Sequence, residues 1–419
     1  MPSGLPFLAP ALALTALGTA IVAPMAAQTR TFHLPAPTGR LTVGTTALSV
    51  SDPARRSPDG SPRTLKVTVW YPAADSAGRA RAPYLREQAA LEVMASRGRN
   101  PASSALLARD VETNAWLDAP VAPSPNHLPV LVFSHGITAM PGDYTALMED
   151  LASHGYAVFS VAHTGETLAV TLPGGRVETL FGEDNRLSPL AEGVLDEWNE
   201  EDSVAAAVTG ASDPAGAEAT LRGYLGRIPR SSAALDRWVE DTRVVVDEIA
   251  RLAGKGSGSL FAGRLDLERL GALGHSMGGL TSAAFCARDP RCRGAINFDG
   301  SPQYGDLIDR PSPRPFLMVY ATRPGRVGVS DLVYAKGASY WRAVVDGTLH
   351  VNFGDWQYWD PPMSFAEALG PISAARSTEI VHRLVREFFG QVLDGVPSPL
   401  LAGAAVFPEL QVQRLAPQG

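Results

Sequence analysis

The residues of this chain that are best suited to chemistry are a serine and the glycines around it. Ser276 lies in the run Leu-Gly-His-Ser-Met-Gly-Gly at 273–279, which matches the pattern Gly-x-Ser-x-Gly. A short apolar run precedes it, and a segment rich in small residues, 280–287, follows it. This order predicts a strand, a strained turn and a helix, the nucleophile elbow, which needs small residues beside the serine. We expect the Ser276 hydroxyl to stand above a sheet, next to a helix start.

A serine hydroxyl needs a base to accept its proton and an acid to orient that base. In the elbow architecture the acid follows the serine in the chain, and the histidine follows the acid. Two histidines come after Ser276, namely His350 and His382. His350 lies in a loop after the apolar run 341–345, where strand ends deliver catalytic groups. His382 lies in a late helical pattern, off its apolar face, and we expect it to be exposed. His350 is the predicted base.

Three aspartates are candidates for the acid. Asp299 directly follows a short apolar run, and Gly300 behind it permits a sharp change of direction. Asp331 lies in the loop after the run 315–320, where many enzymes of this architecture keep the acid, and it could instead cap a helix. Asp306 is a weaker alternative. The spacing favours Asp299 and leaves Asp331 open.

An oxyanion formed during attack on a carbonyl needs two backbone N–H donors. One should come from Met277, the residue after the nucleophile. The other should come from the loop after the apolar run 128–133, where Gly136 lets the backbone turn and Ile137 is the predicted donor. Three other histidines are predicted to be packed or hydrogen-bonded structural side chains: His135, His163 and His275.

The elements that position these groups are short apolar runs that alternate with helical patterns. Antiparallel strands are indicated before residue 74, where 65–71 alternates apolar and polar side chains. One amphipathic helix is predicted to begin at Ser231 or Ser232, and another spans 374–393. This alternation predicts an α/β fold with a mostly parallel, doubly wound sheet. Buried strands are predicted at 128–133, 156–161, 270–273, 294–298, 315–320 and 341–345.

Two stretches interrupt the alternation. Residues 79–127 contain helical pieces such as 86–96 and no strand signal, and residues 174–230 are polar with an acidic centre. We interpret both as insertions that cover the site. The acidic centre is predicted to be a solvated helix face and not a metal site, because no His or Cys lies in the same stretch. Its members are Glu197, Glu200, Glu201 and Asp202. No metal ligands are predicted.

The composition excludes a nucleic-acid-binding surface. The 419 residues carry a net charge of −7, and charged residues make up only 19% of the chain, so no basic surface is available for phosphates. The sequence specifies no oligomeric state.

The N-terminal 27 residues are apolar and end in small residues, which is typical of a secretory signal peptide. The mature chain, 28–419, is then a single domain that is secreted or periplasmic. The alternative is an uncleaved anchor, since the apolar run 5–22 approaches the length that spans a bilayer. In an exported protein Cys286 and Cys292 are expected to form a disulfide, and two buried free thiols are the alternative.

Together these motifs resemble the platelet-activating-factor acetylhydrolase family, the plasma type and its bacterial relatives, within the α/β-hydrolase superfamily. The resemblance implies the α/β-hydrolase fold. In that family the acid follows the strand after the nucleophile helix, which favours Asp299 over Asp331, and the His-x-Asn-Phe context matches His350. The two insertions depart from the family pattern. The resemblance rests on Pro37-Thr38-Gly39, Val43-Gly44, Val69-Trp70-Tyr71-Pro72 and the stretches 129–136, 274–279, 297–300 and 347–353.

The predicted function is a secreted serine carboxylic-ester hydrolase that acts through an acyl-enzyme and requires no metal or other cofactor. By resemblance, its substrates are short-acyl or oxidised phospholipids or other small esters, and a transient contact with a lipid surface is compatible with them. A polyester-cleaving, cutinase-like hydrolase is the first alternative. A catalytically silent ligand-binding protein is the second, with an apolar surface formed by Trp356, Tyr358, Trp359 and Met363.

Overall fold

The computed structural model describes residues 33–84, 86–97, 111–124, 126–184, 186–359 and 368–415. The predicted signal peptide, 1–27, lies outside these ranges. The strands in the described residues are β1 (Val43–Arg56), β2 (Pro62–Pro72), β3 (Arg81–Pro83), β4 (Glu112–Leu117), β5 (Leu128–Ser134), β6 (Ala157–Ala162), β7 (Ala169–Thr171), β8 (Val177–Thr179), β9 (Leu265–His275), β10 (Cys292–Phe298), β11 (Pro315–Ala321), β12 (Ser339–Val345) and β13 (Leu410–Leu415).

The α-helices are α1 (Gln88–Ser96), α2 (Thr145–Ser153), α3 (Glu201–Thr209), α4 (Pro214–Leu225), α5 (Pro229–Ala253), α6 (Met277–Arg288), α7 (Asp331–Tyr334) and α8 (Ala374–Asp394). Short 3-10 turns lie at Pro141–Tyr144, Pro173–Gly175, Asp196–Trp198, Gly305–Ile308, His350–Phe353 and Asp355–Tyr358.

Eleven of the described strands form one sheet, in the order β13-β12-β11-β10-β9-β5-β6-β2-β1-β4-β3. The six strands from β12 to β6 are parallel to one another. β13 pairs antiparallel with β12 at one edge, and β2 and β1 continue the sheet antiparallel beyond β6. The fold is therefore that of an α/β-hydrolase, as predicted. β7 and β8 form a separate two-stranded sheet.

Helices cover both faces of the sheet because the central strands are apolar on both faces. Every residue of β5 and β6 is buried. Alternate residues of a strand point to opposite faces, so Val130 and Val132 join a core with α5 and α6. Leu131 and Phe133 join a second core with α2 and α8. The carboxyl ends of the parallel strands meet at one edge of the sheet, where the candidate residues lie.

The expectation that residues 79–127 hold no strand is wrong. β3 and β4 fall in this stretch and extend the sheet, with β4 parallel to β1 and β3 antiparallel to β4. β3 is the edge strand, and β4 lies between it and β1. The pairing partners of both strands are distant in sequence, so a local pattern could not reveal them. Within the same stretch α1 matches the predicted helical piece.

The acidic centre of the stretch 174–230 is not a simple solvated face. The Glu197 carboxylate accepts the backbone N–H groups of Arg230 and Ser231 at 3.0 and 2.8 Å, which caps the start of α5. That helix begins at Pro229, before the predicted start at Ser231 or Ser232. Glu201 pairs with Arg326, whose side chain is only 1% exposed. Among the described residues no group of three or more His, Cys, Asp or Glu could hold a metal ion.

A disulfide joins Cys286, near the end of α6, to Cys292, the first residue of β10. The predicted pairing is thus present, and the alternative of two free thiols is excluded. None of the described helices is both long enough and apolar enough to span a bilayer.

Candidate active site

The backbone is strained at the candidate nucleophile. Ser276 joins β9 to α6 with φ 56° and ψ −123°, a region that residues with side chains rarely adopt. Two glycines make room for the turn: a Cβ on Gly278 would lie 2.0 Å from Ser134 O, and one on Gly274 would lie 2.2 Å from Gly278 O. The N–H of Ser276 donates to Phe298 O at 2.8 Å. The strand, turn and helix predicted around the serine are present.

Asp299 and His350 lie side by side at the carboxyl edge of the sheet. Asp299 follows β10, and its Oδ2 lies 2.7 Å from Nδ1 of His350, which follows β12. Because a carboxylate only accepts, Nδ1 carries the proton and Nε2 keeps the lone pair of a base. The second carboxylate oxygen accepts the N–H of Ala321 at 3.0 Å. The Asp299 side chain is 1% exposed and that of His350 is 32% exposed, so the base is open to solvent.

A guanidinium also contacts this carboxylate, and the sequence carries no signal for it. Arg323, in the loop after β11, places Nη2 2.7 Å from Asp299 Oδ2. Burial alone would raise the pKa of Asp299. The hydrogen bond with His350 and the positive charge of Arg323 outweigh burial and hold this pKa below its ordinary value. Asp299 is therefore charged at neutral pH, and its carboxylate interacts with both the base His350 and the cation Arg323.

The rival aspartates lie in other ion pairs. Asp331 Oδ1 accepts a hydrogen bond from Tyr340 at 2.7 Å, and its Oδ2 pairs with Arg342 at 2.5 Å. Asp306 pairs with two arginines. Among the three candidate acids, all of which lie in the described ranges, only Asp299 contacts a histidine.

The expectation that His382 is exposed is wrong. Its side chain on α8 is only 10% exposed, and Nδ1 lies 3.6 Å from Asp150 Oδ2 on α2. The two helices pack against each other, so this face of α8 is buried although it is not apolar. His382 pairs with Asp150 and not with any of the three candidate acids.

The loop after β5 lies against the nucleophile. A Cβ added to Gly136 would lie 3.4 Å from the Ser276 Cβ and 3.1 Å from His275 Nδ1. Ile137, the predicted oxyanion donor, comes next, and Met277 opens α6. Among the hydrogen bonds of the described residues, none uses the backbone N–H of Ile137 or Met277. Two such amides near the serine suit a developing oxyanion.

His275 connects this loop with the loop that carries the base. The Tyr144 hydroxyl accepts the N–H of Gly136 at 3.0 Å and lies 2.9 Å from His275 Nδ1. His275 Nε2 lies 2.8 Å from the carbonyl oxygen of His350. A carbonyl only accepts, so Nε2 carries the proton and Nδ1 accepts the Tyr144 O–H. One chain of hydrogen bonds therefore runs from Gly136 through Tyr144 and His275 to the backbone of His350.

Burial keeps the members of this chain in the protonation states that the chain requires. It lowers the pKa of His275 well below its ordinary value, and the neighbouring His350 lowers it further. Burial also raises the pKa of Tyr144 well above its ordinary value. His275 is thus neutral and Tyr144 keeps its proton. The prediction that His275 is a hydrogen-bonded structural residue agrees with this geometry.

The aromatic residues after His350 pack inward. Trp356 lies edge-on to Tyr144, with ring centroids 5.4 Å apart. Trp359 is 7% exposed, and its Nε1 donates to Tyr84 at 3.2 Å. Met363, the fourth residue of the suggested apolar surface, lies outside the described residues. In the described part of this stretch, the two tryptophans pack against Tyr144 and Tyr84 instead of forming an open surface.

This chain is similar to known proteins that are named as esterases. The family model named platelet-activating factor acetylhydrolase, isoform II, matches residues 26–175. A protein of Arthroderma benhamiae, named as a probable 1-alkyl-2-acetylglycerophosphocholine esterase, is 24% identical over 314 residues, which cover 68% of this chain and 66% of that protein. A solved ferulic acid esterase from Streptomyces cinnamoneus is 28% identical, with a TM-score of 0.67, over 91% of this chain and 99% of that chain.

The fold is that of an α/β-hydrolase, and both named proteins to which the chain is similar are esterases. Within that class, the resemblance to the platelet-activating-factor acetylhydrolase family that the motifs predict is confirmed. The alignment with the Arthroderma protein spans slightly less than two thirds of that protein's length.

Removing the Tyr144 hydroxyl should loosen the loop after β5 that carries Gly136 and Ile137, which we name the oxyanion loop. In Tyr144→Phe, Gly136 N–H loses its acceptor and His275 Nδ1 loses its donor, so we expect kcat to fall about tenfold while KM changes little. The measurement is steady-state hydrolysis of p-nitrophenyl butyrate, per active site titrated. Tyr71→Phe is the matched control, because the buried Tyr71 hydroxyl donates to Ala119 O. Tyr71 lies beside the amino end of β6, whereas Ser276 follows the carboxyl end of β9. Equal losses in both variants would contradict a role for this chain.

Removing the cation beside Asp299 should shift the pH profile. In Arg323→Met the whole charge of Asp299 acts on the protonated form of His350, so we expect the acid limb of kcat/KM to move to higher pH by about half to one unit. The charged or titratable groups near His350 are Asp299, the Arg323 that binds Asp299, and the neutral His275. The profile of kcat/KM from pH 5 to 9 measures the shift.

A second arginine variant serves as the control for this pH shift. In Arg342→Met the lost guanidinium is the partner of Asp331, so the acid limb should stay where it is in the parent enzyme. An unmoved limb in Arg323→Met, or a shift to lower pH, would show that Arg323 does not act on the base through Asp299.

Proposed function

We propose that this protein is a serine carboxylic-ester hydrolase that works through an acyl-enzyme, with Ser276 as nucleophile, His350 as base and Asp299 as acid. The observation that carries the proposal is the 2.7 Å contact between Asp299 Oδ2 and His350 Nδ1, at the sheet edge where the elbow presents Ser276. The three residues follow one another in the order that this architecture requires.

The proton path follows from the tautomer of the base. Ser276 Oγ attacks the ester carbonyl carbon, and His350 Nε2 takes the hydroxyl proton. Asp299 keeps the imidazole in place and stabilises the imidazolium that forms. His350 then gives the proton to the alcohol oxygen, so the ester C–O bond breaks, the alcohol leaves and the acyl group remains on Ser276.

The tetrahedral intermediate carries its negative charge on the former carbonyl oxygen. The N–H groups of Ile137 and Met277 would donate to this oxyanion. Water then attacks the acyl-enzyme with His350 as base, and the acid product leaves as Ser276 regains its proton. Every step uses groups of this chain, and the proposal includes no metal or other cofactor.

The substrate class that we propose is a small ester with a short acyl chain, including acetylated or oxidised phospholipids. The name of the Arthroderma relative specifies an acetyl ester of a glycerophosphocholine, which supports this class. A second candidate is an aromatic ester, because the solved structure similar to nearly the whole chain is a ferulic acid esterase. Cleavage of polyesters stays an alternative that the same assays test.

We propose that the protein acts outside the cytoplasm, after removal of residues 1–27. The disulfide between Cys286 and Cys292 supports this location, since such bonds persist in oxidising compartments. A transient contact with a lipid surface belongs to the same proposal, because phospholipid substrates are presented at such surfaces.

Single substitutions should separate the proposed acid from its rival. We expect Ser276→Ala and Asp299→Asn to lower kcat by about 10³-fold or more, because the nucleophile is lost in one and the base takes the wrong tautomer in the other. Asp331→Asn should keep kcat within about threefold of the parent, since this carboxylate contacts Tyr340 and Arg342 and no histidine. Hydrolysis of p-nitrophenyl acetate by folded protein, verified by circular dichroism, is the measurement.

Parent-level turnover in Ser276→Ala would refute the proposed nucleophile. A larger loss in Asp331→Asn than in Asp299→Asn would transfer the role of acid. A parent protein that a fluorophosphonate probe does not label would instead favour the silent ligand-binding alternative.

An acyl-chain series with one leaving group should reveal the depth of the acyl pocket. Each accommodated methylene contributes about 0.8 kcal/mol, or roughly fourfold in kcat/KM, until the pocket ends. We expect kcat/KM to rise from p-nitrophenyl acetate to butyrate and to stop rising by octanoate, because the added methylenes then remain outside the pocket. Methyl ferulate and a dispersed polyester complete the series. A kcat/KM for methyl ferulate above that for methyl butyrate would select the aromatic class.

A further inference from the structure

A second Ser-His-Asp chain lies inside the protein. His163 Nδ1 is 3.0 Å from Asp241 Oδ2, and His163 Nε2 is 3.1 Å from Ser134 Oγ. The three side chains are at most 1% exposed. Trp238 stacks on the His163 ring at 3.9 Å, with the two planes 8° apart. No substrate can reach these three buried side chains. Any part that they play in catalysis must therefore act through the groups that they hold in place.

The charges around the chain fix the direction of its hydrogen bonds. Asp241 receives two hydrogen bonds from Arg63, at 2.7 and 2.6 Å, and pairs with Arg55 at 2.8 Å, so its carboxylate is charged. The carboxylate accepts from His163 Nδ1–H. Burial lowers the pKa of His163 below its ordinary value, against the opposing effect of Asp241. The ring is therefore neutral, and Nε2 accepts the Ser134 O–H.

His163 also contacts the oxyanion loop, through His135. The backbone N–H of His163 donates to His135 Nε2 at 3.2 Å, and His135 Nδ1 lies 2.6 Å from Gly136 O. This carbonyl precedes the N–H of Ile137 in the same peptide unit. The orientation of that peptide, and with it the direction of the Ile137 N–H, thus depends on where His163 holds His135.

The loop that follows His163 supports the oxyanion loop from behind. Thr138 N–H donates to Glu166 O at 3.3 Å, and the carbonyl of Ala139 accepts from Leu168 N–H at 3.1 Å and from the Thr167 hydroxyl at 2.8 Å. The oxyanion loop therefore rests on residues 163–168, and any displacement of these residues would move it.

One turn of α5 holds residues 163–168 at two points. Asp241 binds His163, and Arg237, four residues earlier on the same helix, binds the buried Glu166 with two hydrogen bonds, the longer at 2.9 Å. Arg237 also donates to Leu190 O, in the stretch 174–230, at 3.2 Å. Residues i and i+4 lie on one face of a helix, so a single rigid element sets both anchors.

We propose that His163, held by Asp241 and Ser134, is a positioning residue that sets the direction of the Ile137 N–H in the oxyanion hole. This inference rests on the proposed function, since it assumes that Ile137 donates to the oxyanion. The buried Ser-His-Asp chain shares with the proposed catalytic residues the contact of a histidine Nδ1 with an aspartate Oδ2, but it transfers no proton to a substrate. It orients a peptide group.

Two substitutions of different severity test the inference. His163→Gln removes the link between Asp241 and Ser134, and Ser134→Ala removes only the hydroxyl. The full-length protein is titrated to completion with a fluorophosphonate, so kcat is expressed per reactive Ser276. We expect kcat to fall about 10- to 100-fold in His163→Gln and about 3- to 10-fold in Ser134→Ala, with KM within about threefold. Affinity for a trifluoromethyl ketone, which forms an oxyanion adduct, should fall by the same factor as kcat/KM.

The control variant is Thr242→Val, on α5 next to Asp241. Thr242 is buried, and its hydroxyl donates to Trp238 O of its own helix at 2.9 Å, away from residues 163–168. Its kcat per titrated site should equal that of the parent. If kcat per titrated site is unchanged in Ser134→Ala and in folded His163→Gln, the role is structural only and the inference is overturned. If His163→Gln does not fold, Ser134→Ala decides alone. A parent enzyme that is not titrated at all would refute the proposed function itself.

Discussion

The oxyanion loop and the loop that carries the base both depend on the hydrogen bonds of the neutral His275 imidazole. It accepts from Tyr144 on one side and donates to the backbone of His350 on the other. A protonated ring would carry N–H groups on both nitrogens, so the Tyr144 O–H would lose its acceptor. Burial keeps the ring uncharged and so preserves the direction of this hydrogen bond. The residue beside the nucleophile therefore links the group that stabilises charge to the group that moves protons.

The rest of the site depends on charges that lie in pairs. Asp299 and Asp241 are both buried carboxylates that bind a histidine Nδ1, and each is also paired with arginine. Losing one member of such a pair is costly, because the remaining charge is then buried without compensation. This constraint favours a rigid site, since each loop end is held by a bond that is expensive to break. The stretch 174–230 shares this arrangement through the ion pair of Glu201 with Arg326.

Local patterns in the sequence were sufficient for the parts of the structure that local rules control. The elbow, the alternation of strands and helices and the choice of His350 follow from glycine spacing, apolar runs and chain order. The choice of Asp299 over Asp331 followed from the family resemblance and not from spacing. The contacts of Arg323 with Asp299 and of Tyr144 with His275 follow from no local pattern, because these partners are distant in sequence and only the folded chain brings them together. The same reason explains the error at His382, whose burial depends on how α8 packs against α2.

The pairing of β13 with β12 has a consequence for solubility. A parallel sheet that ended at β12 would present a row of free backbone donors and acceptors to other molecules. β13 covers that row over six residue pairs. Its own outer edge is short and carries exposed polar side chains at Gln411, Gln413 and Arg414. Edges of this kind disfavour strand-to-strand association, so the last described strand protects the enzyme from aggregating through its own sheet.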